Sequence, residues 1–169
     1  ISTAIETFGT DSVSLWDEED GFYYDILLPL TSDDIFGNSR RLRVRSLVGL
    51  LPLLAVGVVP DWVTRELPDF MERFRWLQRN RPQETDAVIQ TEGPSGPATL
   101  MLIDPARHTR LLGTMLDETE FLGAHGIRSL SAVYRGGAHI ELPDGFVDIE
   151  YVPGESNSPM FGGNSNWRG

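Results

Sequence analysis

The segment Trp16–Asp25 has the sequence WDEEDGFYYD, which places five carboxylates beside aromatic rings within ten residues. Carboxylates accept hydrogen bonds from sugar hydroxyls, and flat rings stack on the C–H faces of sugars. The composition is therefore typical of a carbohydrate-binding loop. An acidic surface turn with its rings packed inward is the alternative. Calcium binding is not favoured, because the Asp-x-Asp-x-Asp-Gly spacing of the common calcium loop is missing.

Outward from this segment, the hydrophobic pattern predicts mainly helices. Val44–Val58 is mostly apolar on all faces, as expected of a fully buried inner helix. Others begin with a proline or a capping aspartate and carry apolar residues at helical spacing. The predicted helices are Val44–Val58, Asp61–Glu66, Pro68–Arg79 and Asp104–Glu118, after a helix end at residues 1–8.

Short strands are predicted between the helices. His139–Leu142 and Phe146–Val152 alternate around a Pro-Asp-Gly turn, which indicates a hairpin. Tyr23–Leu28 and Ala98–Ile103 are further short strands. Residues 31–38, 83–99, 123–131 and 153–169 are predicted loops, and loops of this length in a compact domain are usually functional.

The charge balance argues against nucleic acid as a partner. The net charge is −11, so free polyanions are repelled on average. The run Arg40–Arg45 alternates basic and apolar residues, as in a strand with one charged face. With no cysteine and three widely spaced histidines, we predict no disulfide, no metal site and no cofactor.

The sequence predicts no membrane span. The longest apolar stretch, Leu47–Pro60, is shorter than a bilayer requires and is interrupted by glycine and proline. The chain starts at Ile1 without a secretory signal. The cytoplasm is the expected compartment, although a start other than Met leaves the question open.

Two further strings contain possible ligand contacts. Phe161–Gly169 (FGGNSNWRG) combines flexible glycines with amide, indole and guanidinium donors suited to a polyol, or forms a flexible tail. In Gly126–Ser131 (GIRSLS), Arg128 could clamp a carboxylate or a sugar hydroxyl, or pair with a nearby acidic residue.

Four strings in order resemble one family. They are LWDEEDGFYYD (15–25), VRSLVGLLPL (44–53), GIRSLS (126–131) and GGNSNWRG (162–169). Together they resemble the catalytic domain of bacterial proteins grouped with glycoside hydrolase family 63, the family of the eukaryotic processing α-glucosidase and of mannosylglycerate hydrolase. A looser similarity extends to trehalases. The resemblance spans nearly the whole chain.

The resemblance implies an (α/α)6 toroid and hydrolysis with inversion by a carboxylic acid and a carboxylate base, about 6.5–9.5 Å apart. In the family, the segments carrying these two groups flank the region matched here. We therefore expect residues 1–169 to be the central part of such a domain, incomplete at both ends. Its partners would be the missing N- and C-terminal helices, and it would contain no catalytic residue.

The residues that match the family's motifs are expected to contact substrate. Trp16 and Tyr24 would form walls, and Asp20 and Asp25 would accept hydroxyl hydrogen bonds. Asn166, Trp167 and Arg168 would line the pocket floor, with Arg128 nearby and Arg45 at the mouth. Bracing of the loops is the alternative role for each of them.

We therefore predict a mainly α segment of an inverting glycosidase that acts on α-linked glucosides or mannosides. The alternative is a non-catalytic α-helical module that binds carbohydrate or another protein. In either case the isolated chain is expected to be inactive, and apolar surface around Leu47–Leu54 is expected to be exposed.

Overall fold

The computed structural model of the protein describes residues 14–28, 39–85, 89–91, 98–142 and 145–151. The α-helices in these ranges are α1 (Asp61–Glu66), α2 (Pro68–Asn80), α3 (Pro82–Thr85) and α4 (Pro105–Met115), and 3₁₀ helices span Leu47–Leu54 and Ala132–Tyr134. The strands are β1 (Trp16–Asp17), β2 (Phe22–Tyr23), β3 (Asp25–Leu27), β4 (Arg40–Leu42), β5 (Val56–Val59), β6 (Ile89–Thr91), β7 (Ala98–Met101), β8 (Leu122–Gly123), β9 (Gly126–Ile127), β10 (Ala138–Leu142) and β11 (Gly145–Ile149).

The prediction of a mainly α fold, as part of an (α/α)6 toroid, is wrong. The described residues form a mixed α/β structure, in which four α-helices lie among eleven short strands. The largest error is the apolar segment Val44–Val58, which was expected to be one buried helix. It forms the 3₁₀ helix Leu47–Leu54 and then enters β5. Pro52 lacks the N–H that an α-helix needs, and the valines that follow favour a strand.

Several other predicted elements are confirmed. Helices α1, α2 and α4 begin within a residue or so of their predicted starts, and the hairpin β10–β11 lies where the alternating pattern indicated it. The predicted loop 83–99 was partly wrong, because it contains most of α3 and all of β6. The loop 123–131 likewise contains part of the β8–β9 pair. The predictions for residues 1–8, 31–38 and 153–169 lie outside the described residues.

The strands in the described residues form five small antiparallel sheets. Four of these sheets are two-stranded, and the fifth has the order β5-β7-β6. In the longest hairpin, Ala138 of β10 is opposite Ile149 of β11, and Leu142 is opposite Gly145. Small separate sheets cannot bury a core by themselves. Side-chain packing between distant segments must therefore hold the described part of the chain together.

The main core is built from the rings of the acidic-aromatic segment. Trp16, Phe22, Tyr23 and Tyr24 are all buried. The ring of Phe22 stacks on that of Phe121, with 5.8 Å between the ring centroids and 7° between the planes. The other buried members of this cluster are Leu50, Leu53, Ile103 and Leu111. The alternative prediction, that the rings of this segment pack inward, is therefore confirmed.

Helix α4 closes this core from one side. Its N-cap Asp104 accepts hydrogen bonds from the N–H groups of Ala106 and Arg107, each at 3.0 Å. Two turns after the N-cap, Leu111 is fully buried in the core. The guanidinium groups of Arg107 and Arg110 lie 5.3 and 5.4 Å from the centroid of the Trp16 ring. In the described part of the chain, no helix has the length and apolar character needed to cross a membrane.

A second, smaller core lies beneath the hairpin β10–β11. It consists of Leu130, Ile149 and Tyr151, all buried. The Tyr151 ring has the guanidinium carbons of Arg128 and Arg135 within 5.6 and 5.7 Å of its centroid. This cluster anchors the loop that carries Arg128 to the C-terminal hairpin.

Gly49 provides a test of how tightly the main core is packed. A methyl group added at this position would overlap the Phe22 ring and the carbonyl oxygen of Tyr23. We expect Gly49→Ala to lower the free energy of unfolding by about 1–3 kcal/mol, because the core must shift to admit the methyl group. Urea denaturation followed by tryptophan fluorescence measures this change.

The matched control is Gly113→Ala in helix α4, where an added methyl group has nothing within 4 Å. This control should stabilise the chain by about 0.5–1 kcal/mol, because alanine favours the helix. Equal effects of the two substitutions would contradict the described packing of Gly49.

Candidate functional site

The acidic-aromatic loop is braced from within by Asp17. Its buried carboxylate accepts the backbone N–H groups of Glu19 and Asp20 at 3.1 and 3.0 Å. It also accepts Arg41 at 2.5 Å and Arg43 at 2.7 Å. Burial alone would raise the pKa of Asp17, but the backbone hydrogen bonds and the two guanidinium charges outweigh burial and lower it. Asp17 is thus an ionised structural residue rather than a ligand contact.

Arg45 lies at the centre of a polar cluster that joins distant parts of the chain. Its guanidinium group donates to the hydroxyl of Tyr24 at 3.3 Å and forms an ion pair with Glu120. The same group lies 3.6 Å from the carboxylate of Asp20. We call Asp20, Tyr24, Arg45, Glu120 and Ser131 the Arg45 cluster.

The backbone of Arg45 is held as firmly as its side chain. Its N–H donates to the hydroxyl of Tyr134 at 2.9 Å, and its carbonyl accepts the N–H of Ser131 at 3.0 Å. An antiparallel bridge between Ser46 and Leu130 continues this contact. The position of the guanidinium group is therefore set from both ends of the residue.

Glu120 is the buried anchor of the cluster. Its side chain is 10% exposed, and it binds Arg45 on one oxygen and the hydroxyl of the fully buried Ser131 on the other. Glu120 was not among the residues predicted to form the site. It follows the acidic pair Asp117 and Glu118 at a predicted helix end, and no local pattern distinguishes it from those neighbours.

Tyr24 acts as a fixed hydrogen-bond donor in this cluster. Burial, its largest influence, raises the pKa of Tyr24 to about 12, although the hydrogen bond from Arg45 lowers it. Its hydroxyl is therefore protonated at neutral pH and donates to Asp20 at 2.8 Å. Burial would lower the pKa of Arg45, but the hydrogen bond to Tyr24 and the charge of Glu120 raise it. The guanidinium group stays charged.

The cluster is open to solvent only at Asp20 and Arg45. Their side chains are 27% and 24% exposed, whereas Tyr24, Glu120 and Ser131 are buried. A carboxylate and a guanidinium group placed side by side present an acceptor next to several donors. This combination suits a ligand with neighbouring hydroxyl groups, each of which can donate to one group and accept from the other.

Trp16 and Tyr24 do not present their rings to solvent. The indole N–H of Trp16 donates to Glu18 at 2.5 Å, and arginine side chains lie over its ring. The Tyr24 ring packs in the main core. In the described structure Trp16 therefore shapes the loop from beneath rather than forming a stacking wall.

Of the remaining predicted site residues, the structure describes Arg128 and Asp25. Arg128 donates to the carbonyl oxygens of Glu118 and Glu120 at 2.8 and 3.0 Å, and to the Tyr151 hydroxyl at 3.1 Å. It therefore supports the turn that carries Glu120. Asp25 is exposed at the start of β3. Asn166, Trp167 and Arg168 lie outside the described residues, so their predicted role in the pocket floor stays a prediction.

A pocket of about 240 Å³ is lined in part by Tyr24. Its walls are mostly apolar, and of the described residues that line it only Asp25 is charged. Tyr24 contributes to this pocket while its hydroxyl group belongs to the Arg45 cluster. The lining residues are Leu15, Tyr23, Tyr24, Asp25, Val44, Ser46, Val48, Gly49, Leu51, Pro52 and Leu102.

No group of three or more histidine or acidic side chains in the described ranges is arranged to hold a metal ion. The two carboxylates of the Arg45 cluster, Asp20 and Glu120, both lie within 4 Å of the Arg45 guanidinium group. The geometry therefore suits the recognition of a neutral, hydroxyl-rich ligand through hydrogen bonds.

The chain is similar to one segment of a much longer protein. Over 162 residues it is 40% identical to the "Uncharacterized protein YMR196W" of Saccharomyces cerevisiae. The alignment covers 92% of this chain, and the chain spans 14% of the length of the yeast protein. No family model and no solved structure matches the chain.

The charge on Asp17 should make the stability of the chain depend on acidity. Because the pKa of Asp17 is lowered in the folded state, its ionised carboxylate adds to the free energy of unfolding at pH values above its unfolded pKa of about 3.9. The contribution is lost as the pH falls through the lower folded value. We expect Asp17→Asn to cost about 2 kcal/mol at pH 7 and clearly less near pH 3.

Chemical denaturation at a series of pH values measures this dependence. Asp148→Asn is the control, because Asp148 is an exposed hairpin residue whose ion pair with His139 lies at the surface. Parallel stability curves for the wild type and Asp17→Asn across this pH range would contradict the assigned role of Asp17.

The importance of Glu120 is tested by Glu120→Gln. Removal of its charge leaves the Arg45 guanidinium group without its buried partner, and we expect a loss of about 3 kcal/mol of stability. The exposed neighbour Glu118 provides the control, and Glu118→Gln should change stability by less than about 0.5 kcal/mol. Thermal or urea unfolding measures both.

A double variant separates the pair from the rest of the cluster. The double variant Arg45→Met, Glu120→Gln should lose less free energy of unfolding than the sum of the two single variants. Each single variant leaves one charge of the pair without its partner, whereas the double variant removes both charges. Additive effects would show that the two side chains act independently and would refute the assignment.

Proposed function

We propose that this chain is the substrate-contacting segment of an inverting glycoside hydrolase that acts on α-linked glucosides or mannosides. In this proposal the chain supplies pocket loops, and the general acid and base come from other parts of the protein. The resemblance to glycoside hydrolase family 63 supplies the reaction class. The proposal takes from that family its chemistry and not its toroidal fold.

The observation that carries the proposal is the open pair of Asp20 and Arg45. Their nearest side-chain N···O distance of 3.6 Å is longer than a good hydrogen bond. A ligand hydroxyl group can therefore hydrogen-bond to both residues without breaking a strong bond between them. Two adjacent hydroxyls of a hexose are suited to this pair, one on the carboxylate and one on the guanidinium group.

The contacts of the two carboxylates in the Arg45 cluster favour ligand recognition over proton transfer. Asp20 and Glu120 both contact Arg45, and Tyr24 donates a proton to Asp20 in a hydrogen bond. A general acid or base must exchange its proton freely with a substrate or with water. Groups committed to one arginine are better suited to holding a ligand in a fixed orientation.

The alternative function is a non-catalytic module that binds carbohydrate or another protein. A polar recognition pair such as Asp20 and Arg45 fits this alternative as well. Turnover distinguishes the two functions, because only the first requires hydrolysis by the protein to which this segment belongs.

The test uses the complete polypeptide encoded by the reading frame that contains this sequence. We expect it to hydrolyse an aryl α-glucoside or α-mannoside with inversion, as seen by proton NMR of the first-formed sugar anomer. The 169-residue chain alone should not. Asp20→Asn should lower kcat/KM about tenfold or more through loss of a hydrogen bond to a charged group, and Asp148→Asn should leave it unchanged.

Arg45→Lys adds a chemical distinction. Lysine keeps the positive charge but loses the planar fork, so this variant should also lose sugar affinity if the fork orients hydroxyls. Sugar binding without hydrolysis would favour the non-catalytic alternative. A complete polypeptide that neither binds nor cleaves any α-glucoside or α-mannoside would refute the proposal.

A further inference from the structure

The longest apolar stretch of the sequence is only half buried. Residues 47–60 contain no charged side chain. In the 3₁₀ helix Leu47–Leu54, Leu50 and Leu53 point into the main core. A 3₁₀ helix repeats every three residues, so Val48, Leu51 and Leu54 share another face. All three are exposed, and Leu54 has 76% of its surface accessible.

The exposed face continues into the next strand. Val56 and Val58 occur two residues apart in β5 and therefore lie on the same side of the strand. Both are exposed, with Val58 at 65%. We call Val48, Leu51, Leu54, Val56 and Val58 the apolar strip. The expectation of exposed apolar surface around Leu47–Leu54 is thus confirmed, although the segment is not an α-helix.

One backbone edge accompanies the apolar strip. Among the described residues, β5 pairs with β7 and forms one end of the sheet β5-β7-β6. Natural proteins cover or charge such edges, since an exposed apolar edge strand promotes aggregation. β5 has the sequence VGVV and carries no charged or proline residue. A covered edge is the arrangement consistent with this sequence.

The chemistry of the strip indicates a permanent interface. Transient protein interfaces resemble ordinary surface in their polarity and have polar rims, whereas obligate interfaces are apolar like a domain core. The strip offers five aliphatic side chains in a stretch without charge. A second copy of the chain is disfavoured as the occupant, because each copy carries a net charge of −11.

We propose that the apolar strip is covered by another apolar segment of the same polypeptide, outside the 169 residues. The length of the yeast relative supports this occupant, because 86% of that protein lies beyond the segment that aligns with this chain. A segment on the same polypeptide is present at high effective concentration and suits a permanent, uncharged interface. This inference does not depend on the proposed glycosidase function.

Thiol labelling tests the proposal with little disturbance of the fold. The chain contains no cysteine, so Leu54→Cys introduces a single reporter at the most exposed position of the strip. Leu116→Cys is the matched control, because Leu116 is also exposed but lies at the end of α4, outside the strip. Iodoacetamide labelling is followed by mass spectrometry of the peptide that contains each substitution.

In the 169-residue chain, we expect both introduced thiols to react at similar rates. In the complete polypeptide, labelling at Leu54→Cys should fall about tenfold or more, while labelling at Leu116→Cys changes much less, because burial lowers access to the thiol. Hydrogen exchange should show the same contrast for the β5 amides that do not pair with β7, which should gain protection only in the complete polypeptide.

The second variant, Leu54→Glu, distinguishes the possible occupants. It should leave the 169-residue chain folded but destabilise the complete polypeptide, because the new charge would be buried at the interface. Equal labelling of Leu54→Cys in both proteins would overturn the proposal. A 169-residue dimer that Leu54→Glu dissociates would assign the strip to a second copy instead. A reading frame without further residues would also overturn it.

Discussion

The ion pair between Arg45 and Glu120 is the interaction on which the described structure depends. It joins the segment after β4 to the turn after α4, and through Tyr24 and Asp20 it reaches the acidic-aromatic loop. The sheets of this protein are too small to organise the chain by themselves. A buried charge without its partner is costly, so the three segments must come together with these groups in place.

The acidic-aromatic loop serves the core and the candidate site at once. Its rings are buried because their apolar surface is large, and its carboxylates remain at the rim because ions resist transfer from water. Asp17 is the exception, because its carboxylate is buried. Its two arginines and two backbone donors compensate its burial, and they fix the turn that presents Asp20 beside Arg45. The same loop is thereby held in place where Asp20 lies beside Arg45.

The molecule has two surfaces of opposite character. The Asp20–Arg45 pair is polar, partly open and suited to a hydroxyl-rich ligand, whereas the apolar strip offers no side chain that could hydrogen-bond to one. Both surfaces arise from segments that also contribute to the main core. A substitution in this core can therefore alter the Asp20–Arg45 pair and the apolar strip together, and matched controls are needed to separate the two effects.

Local signals in the sequence determined α1, α2, α4 and the hairpin β10–β11, because prolines, a capping aspartate and alternating residues act over a few positions. The family resemblance also placed Asp20, Tyr24 and Arg45 among nine predicted substrate contacts, without grouping these three. Only the tertiary structure decided that Val44–Val58 is a 3₁₀ helix followed by a strand, and that Glu120 anchors Arg45. Those outcomes depend on contacts between residues far apart in the chain, and a local pattern cannot encode which distant group will satisfy a buried charge or cover an apolar face.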